Sequence, residues 1–319
     1  MMQQVKILDG GFSTQLATHV NDTIDGDPLW TARFLVTNPE AIVATHLDFL
    51  KAGADIILTN SYQASIDGFS KYMNMTEEES LNLFSKSVEY AKEAVNLFKK
   101  DVKNLKNVSE NPLIAGSIGP YGACLHDGSE YTGKYCSLVT EEILMDWHRP
   151  RIRQLIASGV DLLAIETIPC KKEAEALVKL LKEFPNIKAW LSFSCRNDGE
   201  NIADGSNFQN VAMQCYKEAL QGQILAVGMN CIAPQNVSPL LRGINANNKQ
   251  EIVPLVVYPN SGETYTVETG WMKTNDSCSL NQFIHEWLNL GVRYIGGCCR
   301  THAEDVVKIR AEVQNWKCA

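Results

Sequence analysis

The chain of 319 residues has no apolar run of about 18 residues, the length a membrane-spanning helix requires, so no membrane partner is expected. A basic surplus is missing too. Lys and Arg number 29 against 37 Asp and Glu, a net charge of -8, which argues against a phosphate-binding face and against nucleic acid as a partner. The opening residues, Met1-Met2-Gln3-Gln4-Val5-Lys6, lack a leader with a basic start and an apolar centre. No G-x-G-x-x-G follows the first apolar run, which weighs against an open dinucleotide-binding sheet. Low-complexity stretches and domain boundaries are absent as well, so one domain over residues 1–319 is expected. What the chain does hold is cysteine, ten residues in all, beside a 45% hydrophobic content that can bury a large core. Without a secretory leader the expected compartment is the cytoplasm, where clustered thiols hold metal more often than they form bridges.

Three of the ten cysteines stand out. Cys298 and Cys299 follow Gly296-Gly297 behind the apolar run Val292–Ile295, and Cys231 closes Val227-Gly228-Met229-Asn230-Cys231. If the two runs are near neighbours in a sheet, three thiolates converge on one point. Three thiolates and one open position describe a zinc ion that can still accept a substrate atom. Soft sulfur ligands favour zinc or copper(I) over magnesium or calcium. Free cysteine also packs as a small hydrophobe, which is the expectation for Cys124, Cys136, Cys170, Cys195, Cys215, Cys278 and Cys318. A disulfide between the adjacent Cys298 and Cys299 is a further alternative. The paired glycines weigh against simple packing. Adjacent strand residues face opposite ways, so both thiols reach one ion only where the backbone turns, and glycine permits that turn.

One phrase recurs along the chain: an amphipathic helix, a glycine, then a short apolar strand. Gly53 precedes Asp55–Leu58, Gly159 precedes Asp161–Ile165, Gly222 precedes Ile224–Val227 and Gly291 precedes Arg293–Ile295. A glycine just past a helix is the left-handed cap that turns the chain back, and its repetition marks parallel strand–helix units. With Val5–Leu8, Leu113–Ser117, Ala189–Phe193 and Val253–Val257 the strands number eight. Capping boxes are expected at Thr76–Glu79, Ser279–Gln282 and Thr301–Glu304, and a last helix over about Thr301–Trp316. The fold class is α/β, a (β/α)₈ barrel of the TIM type, with a zinc site at the C-terminal ends of its strands.

Such a barrel carries its active groups at the C-terminal strand ends. The polar residues fall there. Asp9-Gly10-Gly11 ends the first strand, Thr59-Asn60-Ser61-Tyr62-Gln63 the second, Glu166-Thr167 the fourth, Asn230-Cys231 the sixth and Cys298-Cys299 the eighth. The long stretches His19–Asn38, Ser61–Met75 and Gly119–Val139 exceed ordinary connectors and are expected to form lids or binding walls.

Zinc deprotonates a bound thiol at neutral pH. Three cysteinates already outweigh its charge, so a fourth sulfur stays electron-rich enough to attack the methyl carbon of a sulfonium. Glu166 and Asp9 are the natural partners for an amino-acid ammonium. Tyr62, Tyr121, Tyr131, Tyr258 and Trp271 are candidates to present ring faces to a sulfonium cation.

Asp27-Pro28-Leu29-Trp30, Thr59-Asn60-Ser61-Tyr62-Gln63, Ala115-Gly116-Ser117-Ile118-Gly119-Pro120-Tyr121-Gly122, Asp127-Gly128-Ser129-Glu130-Tyr131-Thr132-Gly133, Tyr258-Pro259-Asn260-Ser261-Gly262-Glu263 and Gly296-Gly297-Cys298-Cys299-Arg300-Thr301 complete the pattern. With Asp9-Gly10-Gly11, these segments resemble the homocysteine S-methyltransferase family, most closely its stand-alone members that use S-methylmethionine. The resemblance implies a Zn²⁺-dependent barrel that forms methionine from homocysteine. Cys231, Cys298 and Cys299 match the family's metal ligands; Asp9, Gly10 and Glu166 match positions that hold homocysteine. Asn60 is the further substrate-binding candidate. Thr167-Ile168-Pro169 departs from the betaine-using branch, which also carries a C-terminal extension, so a sulfonium donor and a monomer or weak dimer are expected. S-adenosylmethionine is the second donor, selenocysteine an additional acceptor, and a purely structural zinc the rival from another class.

Overall fold

Branched apolar residues fall in runs too short for helices, and each run is buried on both faces, as parallel strands require. The structure, a computed structural model, describes residues 4–101, 108–246, 252–266, 270–272 and 279–318. Its strands are β1 (Lys6–Ile7), β2 (Ile56–Leu58), β3 (Leu113–Ile118), β4 (Leu162–Ile168), β5 (Ala189–Phe193), β6 (Ile224–Asn230), β7 (Leu255–Tyr258), a small antiparallel hairpin β8 (Thr264–Thr266) and β9 (Gly270–Met272), and β10 (Val292–Ile295). Eight of them form one parallel sheet in the order β1-β10-β7-β6-β5-β4-β3-β2. A parallel bridge between Leu8 and Ile56 joins its two edges. The expected barrel is there, with all eight strands.

Its interior is filled rather than open. Leu8, Ile56, Ala115, Leu162, Ala164, Ala226 and Val256 surround Trp190 and Tyr258. The three alanines leave room for the indole, whose Nε1 donates to the Tyr258 hydroxyl at 3.1 Å. A second, larger apolar layer lies between the strands and the helices outside them. Strand starts differ from expectation for a clear reason. Asp55 and Asp161 stand just before β2 and β4, where their carboxylates accept the N–H groups of Ile7 and Ile114, at 2.8 and 2.7 Å. Conversely, β4 and β6 run on through polar Glu166-Thr167 and Asn230, because pairing with neighbours (Ile168 with Phe193, Asn230 with Tyr258) carries them.

The four punctuating glycines behave as the pattern demands: Gly53, Gly159, Gly222 and Gly291 have φ of 102°, 81°, 71° and 109°. Of the three capping boxes, Thr76–Glu79 forms in full, with Glu79 accepting from the Thr76 N–H at 2.8 Å and Thr76 Oγ1 from the Glu79 N–H at 3.2 Å. Ser279 makes no side-chain cap. The third box is displaced. Asp305 accepts from the His302 N–H at 2.9 Å, while Thr301 turns its hydroxyl toward the Cys298 carbonyl, 2.6 Å away. That hydroxyl serves the mouth of the barrel instead of the helix.

Candidate active site

The first and last sheet strands end side by side, and their loops interlock. Gly297 N–H donates to the Asp9 carbonyl at 3.0 Å, and Gly11 N–H reaches both the carbonyl and the hydroxyl of Thr301, at 3.0 Å each. Here glycine is needed for close approach. A Cβ on Gly11 would stand 2.4 Å from the Cys298 carbonyl oxygen, and one on Gly297 2.2 Å from Thr301 Oγ1. Neither has a positive φ; among the cage residues that belongs to Cys231, at 51°. Cys231 thus enters from a left-handed turn of its own, while the adjacent pair turns over Cys299-Arg300, where Arg300 has φ of 64° and the Thr301 N–H donates to the Cys298 carbonyl at 3.1 Å.

Cys231, Cys298 and Cys299 meet, as expected, with all three Sγ atoms within 4.8 Å of one another. Cys231 lies 3.7 Å from Cys299, and Cys298 lies 4.0 Å from Cys299. Cys231 and Cys298 are at bonding distance, sulfur to sulfur, with their Cα atoms 5.5 Å apart. The adjacent pair is thus not joined to itself. Zn–S bonds of about 2.3 Å in a tetrahedron put sulfurs about 3.8 Å apart. Two of the three separations already match that edge, and the third pair would open to meet it. The donor set fits zinc. Among the described residues the cluster of potential ligands stops at these three; His302 does not join it, and Cys278 lies outside the described residues.

The sulfurs form one wall of a cavity enclosing about 660 Å³, its open mouth included, and Asp9, Gly10, Asn60 and Glu166 line it too. Asp9 is 4% exposed, and its carboxylate accepts from the Leu58 N–H at 2.7 Å. Burial, with Glu166 nearby, lifts its pKa well above the carboxylate range. Glu166 accepts from the Ser117 hydroxyl, and burial pushes it up to about 7. Two buried carboxylates with raised pKa values, facing three sulfurs, want a cation between them. Asn60 lines the same cavity, but its amide N–H is committed to the Thr31 carbonyl at 2.9 Å, where it braces the loop after β1.

Sequence reasoning missed several residues. Asn230 is 1% exposed and clamps Thr167 twice: its Oδ1 accepts from the Thr167 N–H at 2.8 Å and its Nδ2 donates to the Thr167 hydroxyl at 2.7 Å. Thr167 has φ of 59°, an unfavourable conformation for a β-branched residue. Asn230 therefore holds the backbone beside Glu166 in a shape it would not keep alone, and links the Glu166 strand to the residue before Cys231. Trp30 also lines the cavity, at φ 47°. Of the five aromatic candidates, Tyr62, Tyr131 and Tyr258 line it. Tyr121 does not; it packs behind the wall, tilted against Tyr135 and edge-on to Trp147, with ring centroids 5.5 and 5.1 Å away. The side chain of Trp271 lies outside the described residues.

The wall between Gly119 and Val139 forms three short 3₁₀ turns fastened from behind. Buried Glu173 accepts from the Tyr121 N–H at 2.7 Å, from the Tyr135 hydroxyl and from His148 Nε2 at 2.8 Å. Arg151 donates to the carbonyls of Gly119 and Tyr62, at 3.2 and 3.3 Å. Cys136 and Cys170, expected to pack as hydrophobes, are buried but joined sulfur to sulfur across the wall, with Cα atoms 6.7 Å apart.

The model of the homocysteine S-methyltransferase family matches residues 6–313. The chain belongs to that family. It is a methyltransferase. Among curated relatives of the family, a betaine-homocysteine S-methyltransferase of Drosophila melanogaster is 47% identical over 95% of this chain and 92% of its own length. The homocysteine S-methyltransferase YbgG of Bacillus subtilis is 41% identical over 98% and 95%. The metallated form of the homocysteine methyltransferase MmuM from Escherichia coli superposes with a TM-score of 0.82, at 38% identity over 97% of this chain and 96% of that one. Its oxidised form superposes with the same TM-score. Chain length does not separate methyl donors in this family, because the relative named for betaine is matched over nearly all of its length.

Proposed function

We propose that this chain is one homocysteine-binding barrel that transfers a methyl group from a sulfonium to the thiol of homocysteine, giving methionine. S-methylmethionine is the first methyl donor and S-adenosylmethionine the second. The observation that carries this reading is a three-sulfur cluster facing two buried carboxylates across one cavity. Cys231, Cys298 and Cys299 would hold Zn²⁺, and when bound it would keep the substrate sulfur as a thiolate. Asp9 and Glu166 bind the amino acid's ammonium, whose positive charge compensates the burial that raises both pKa values. They thereby fix the distance from the amino-acid backbone to the sulfur cage. Tyr62 and Tyr131 present rings toward the sulfonium and exclude water from it. The attacking sulfur forms a bond to the methyl carbon as the carbon–sulfur bond of the methyl donor breaks. The electron pair returns to the leaving sulfur, which departs as a neutral thioether, and no proton moves. Alignment is what the walls supply.

The reaction fits a cytoplasmic enzyme of methionine synthesis, acting as a monomer or weak dimer, with selenocysteine as a second acceptor because its anion forms more readily than a thiolate. No described helix is long and apolar enough to cross a membrane. The test joins metal analysis of protein purified under reducing, chelator-free conditions to methionine formation with S-methylmethionine, S-adenosylmethionine and betaine in turn. About one zinc per chain and turnover with the two sulfoniums support the reading. Zinc-free protein, or turnover with betaine alone, overturns it.

A further inference from the structure

The proposed transfer needs a place for the methyl donor, and a carboxylate not yet given a task lies next to Tyr131 of the cavity wall. Glu130 lies in the short turn Ser129–Tyr131. One of its carboxylate oxygens is buried with no hydrogen-bond partner. Its neighbour Tyr131 lines the cavity, as does Tyr62 from the loop after β2. The Tyr62 hydroxyl, near Thr167, is buried without a well-formed hydrogen bond. Glu130 is close enough to both tyrosines that its charge opposes their ionisation, and Tyr131 responds in the same way to Cys299 and Glu166. Glu130 thus lies within electrostatic reach of two phenols that line the cavity.

A buried carboxylate oxygen without a donor is costly, and this one sits in a wall that Glu173 and Arg151 keep from rearranging. Burial and the like charge of Asp127 both raise its pKa. A bound cation with N–H groups removes both penalties. The ammonium of homocysteine does not need Glu130, since Asp9 and Glu166 occupy that side. A sulfonium centre has no N–H to offer, but an amino-acid sulfonium carries an ammonium a few bonds away. Betaine carries none.

We propose that Glu130, with the hydroxyls of Tyr62 and Tyr131, receives the α-ammonium group of an amino-acid sulfonium and so selects such methyl donors over those without an N–H. This rests on the methyl-transfer reading above. The test compares wild type, Glu130→Gln and Glu130→Asp with S-methylmethionine and with 3-(dimethylsulfonio)propionate, a sulfonium lacking an amino group. Glu130→Gln is expected to raise KM for S-methylmethionine about tenfold or more. KM for homocysteine and the rate with the amino-free sulfonium should stay unchanged, which also certifies the fold, and Glu130→Asp should recover part of the loss. An equal loss with both methyl donors, a raised homocysteine KM, or no change at all in the variants overturns the assignment while leaving the methyl-transfer reading intact. Wild type inert with S-methylmethionine overturns the assignment, and wild type inert with S-adenosylmethionine as well overturns both.

Discussion

Two groups of cysteines stand within the mouth of this barrel and have been put to different uses. Cys231, Cys298 and Cys299 are partly exposed at the ends of β6 and β10, with a cavity in front of them. Cys136 and Cys170 are buried in the wall, joined to each other, and neither sulfur opens onto that cavity. Three sulfurs with space in front can hold an ion and still admit a fourth ligand. Two sulfurs with none can only cross-link. The surroundings, more than the thiol itself, decide the chemistry. The contact between Cys231 and Cys298 marks the overlap of the two uses, since the same sulfurs cannot bond each other and share a tetrahedral ion.

Substitution at the cage should break this comparison most sharply. Cys299→Ala is expected to lose zinc and to lower methionine formation on the order of a hundredfold or more, read by metal analysis and turnover; a fully active variant would mean the cage is not the reactive centre. Next in size is Asn230→Ala, which strips Thr167 of two buried hydrogen bonds. It should cost about 2–4 kcal/mol in urea unfolding and raise KM for homocysteine more than KM for the methyl donor, through misplacement of Glu166. Equal changes in both would show that the clamp is only structural.

Glu166 gives a pH signature. Its pKa in the fold, about 7, lies above the ordinary carboxylate value, so the stability it contributes is complete at acid pH and is lost as pH rises through 7. Binding an ammonium needs the charged form, so kcat/KM for homocysteine should fall as pH drops below about 7. Glu166→Gln should remove that limb, weaken homocysteine binding, and make the free protein roughly 2–3 kcal/mol more stable above pH 7. A variant with an unchanged pH profile would transfer the ammonium to Asp9 alone. The smallest effect belongs to the wall. In reducing buffer Cys136→Ser should keep activity within about twofold, whereas under oxidising conditions only the unsubstituted chain should gain the roughly 2–4 kcal/mol a cross-link of this loop length supplies. A large loss in reductant would mean that the pair does more than tie a loop.

Much of this was open to inspection in the chain itself. The glycines at 53, 159, 222 and 291 sit where helices must end, and periodic apolar runs follow them, so the barrel could be counted out strand by strand. The polar strand ends pointed to Asp9, Glu166 and the three cysteines, because a closed parallel sheet sends all those ends to one face. Harder to see were Asn230 and Trp30, whose roles depend on a partner across the barrel. Tyr121 was misplaced for the same reason: a tyrosine in a mouth loop can face the cavity or the helix behind it, and Glu173 pulls this segment backward. Nothing local could have paired Cys136 with Cys170, which are separated by 34 residues.

Local order of residues was enough to decide the architecture and to bring three thiols to one end of it, because helix caps and strand period are short-range effects that repeat. What the assembled barrel alone decided is which of those groups face inward and which are already engaged. Asn60 is spent on a carbonyl, Thr301 leaves its helix for the Cys298 loop, and Glu130 keeps an oxygen with no partner. Such outcomes depend on contacts between segments far apart in the chain, where burial sets the cost of every unpaired polar atom.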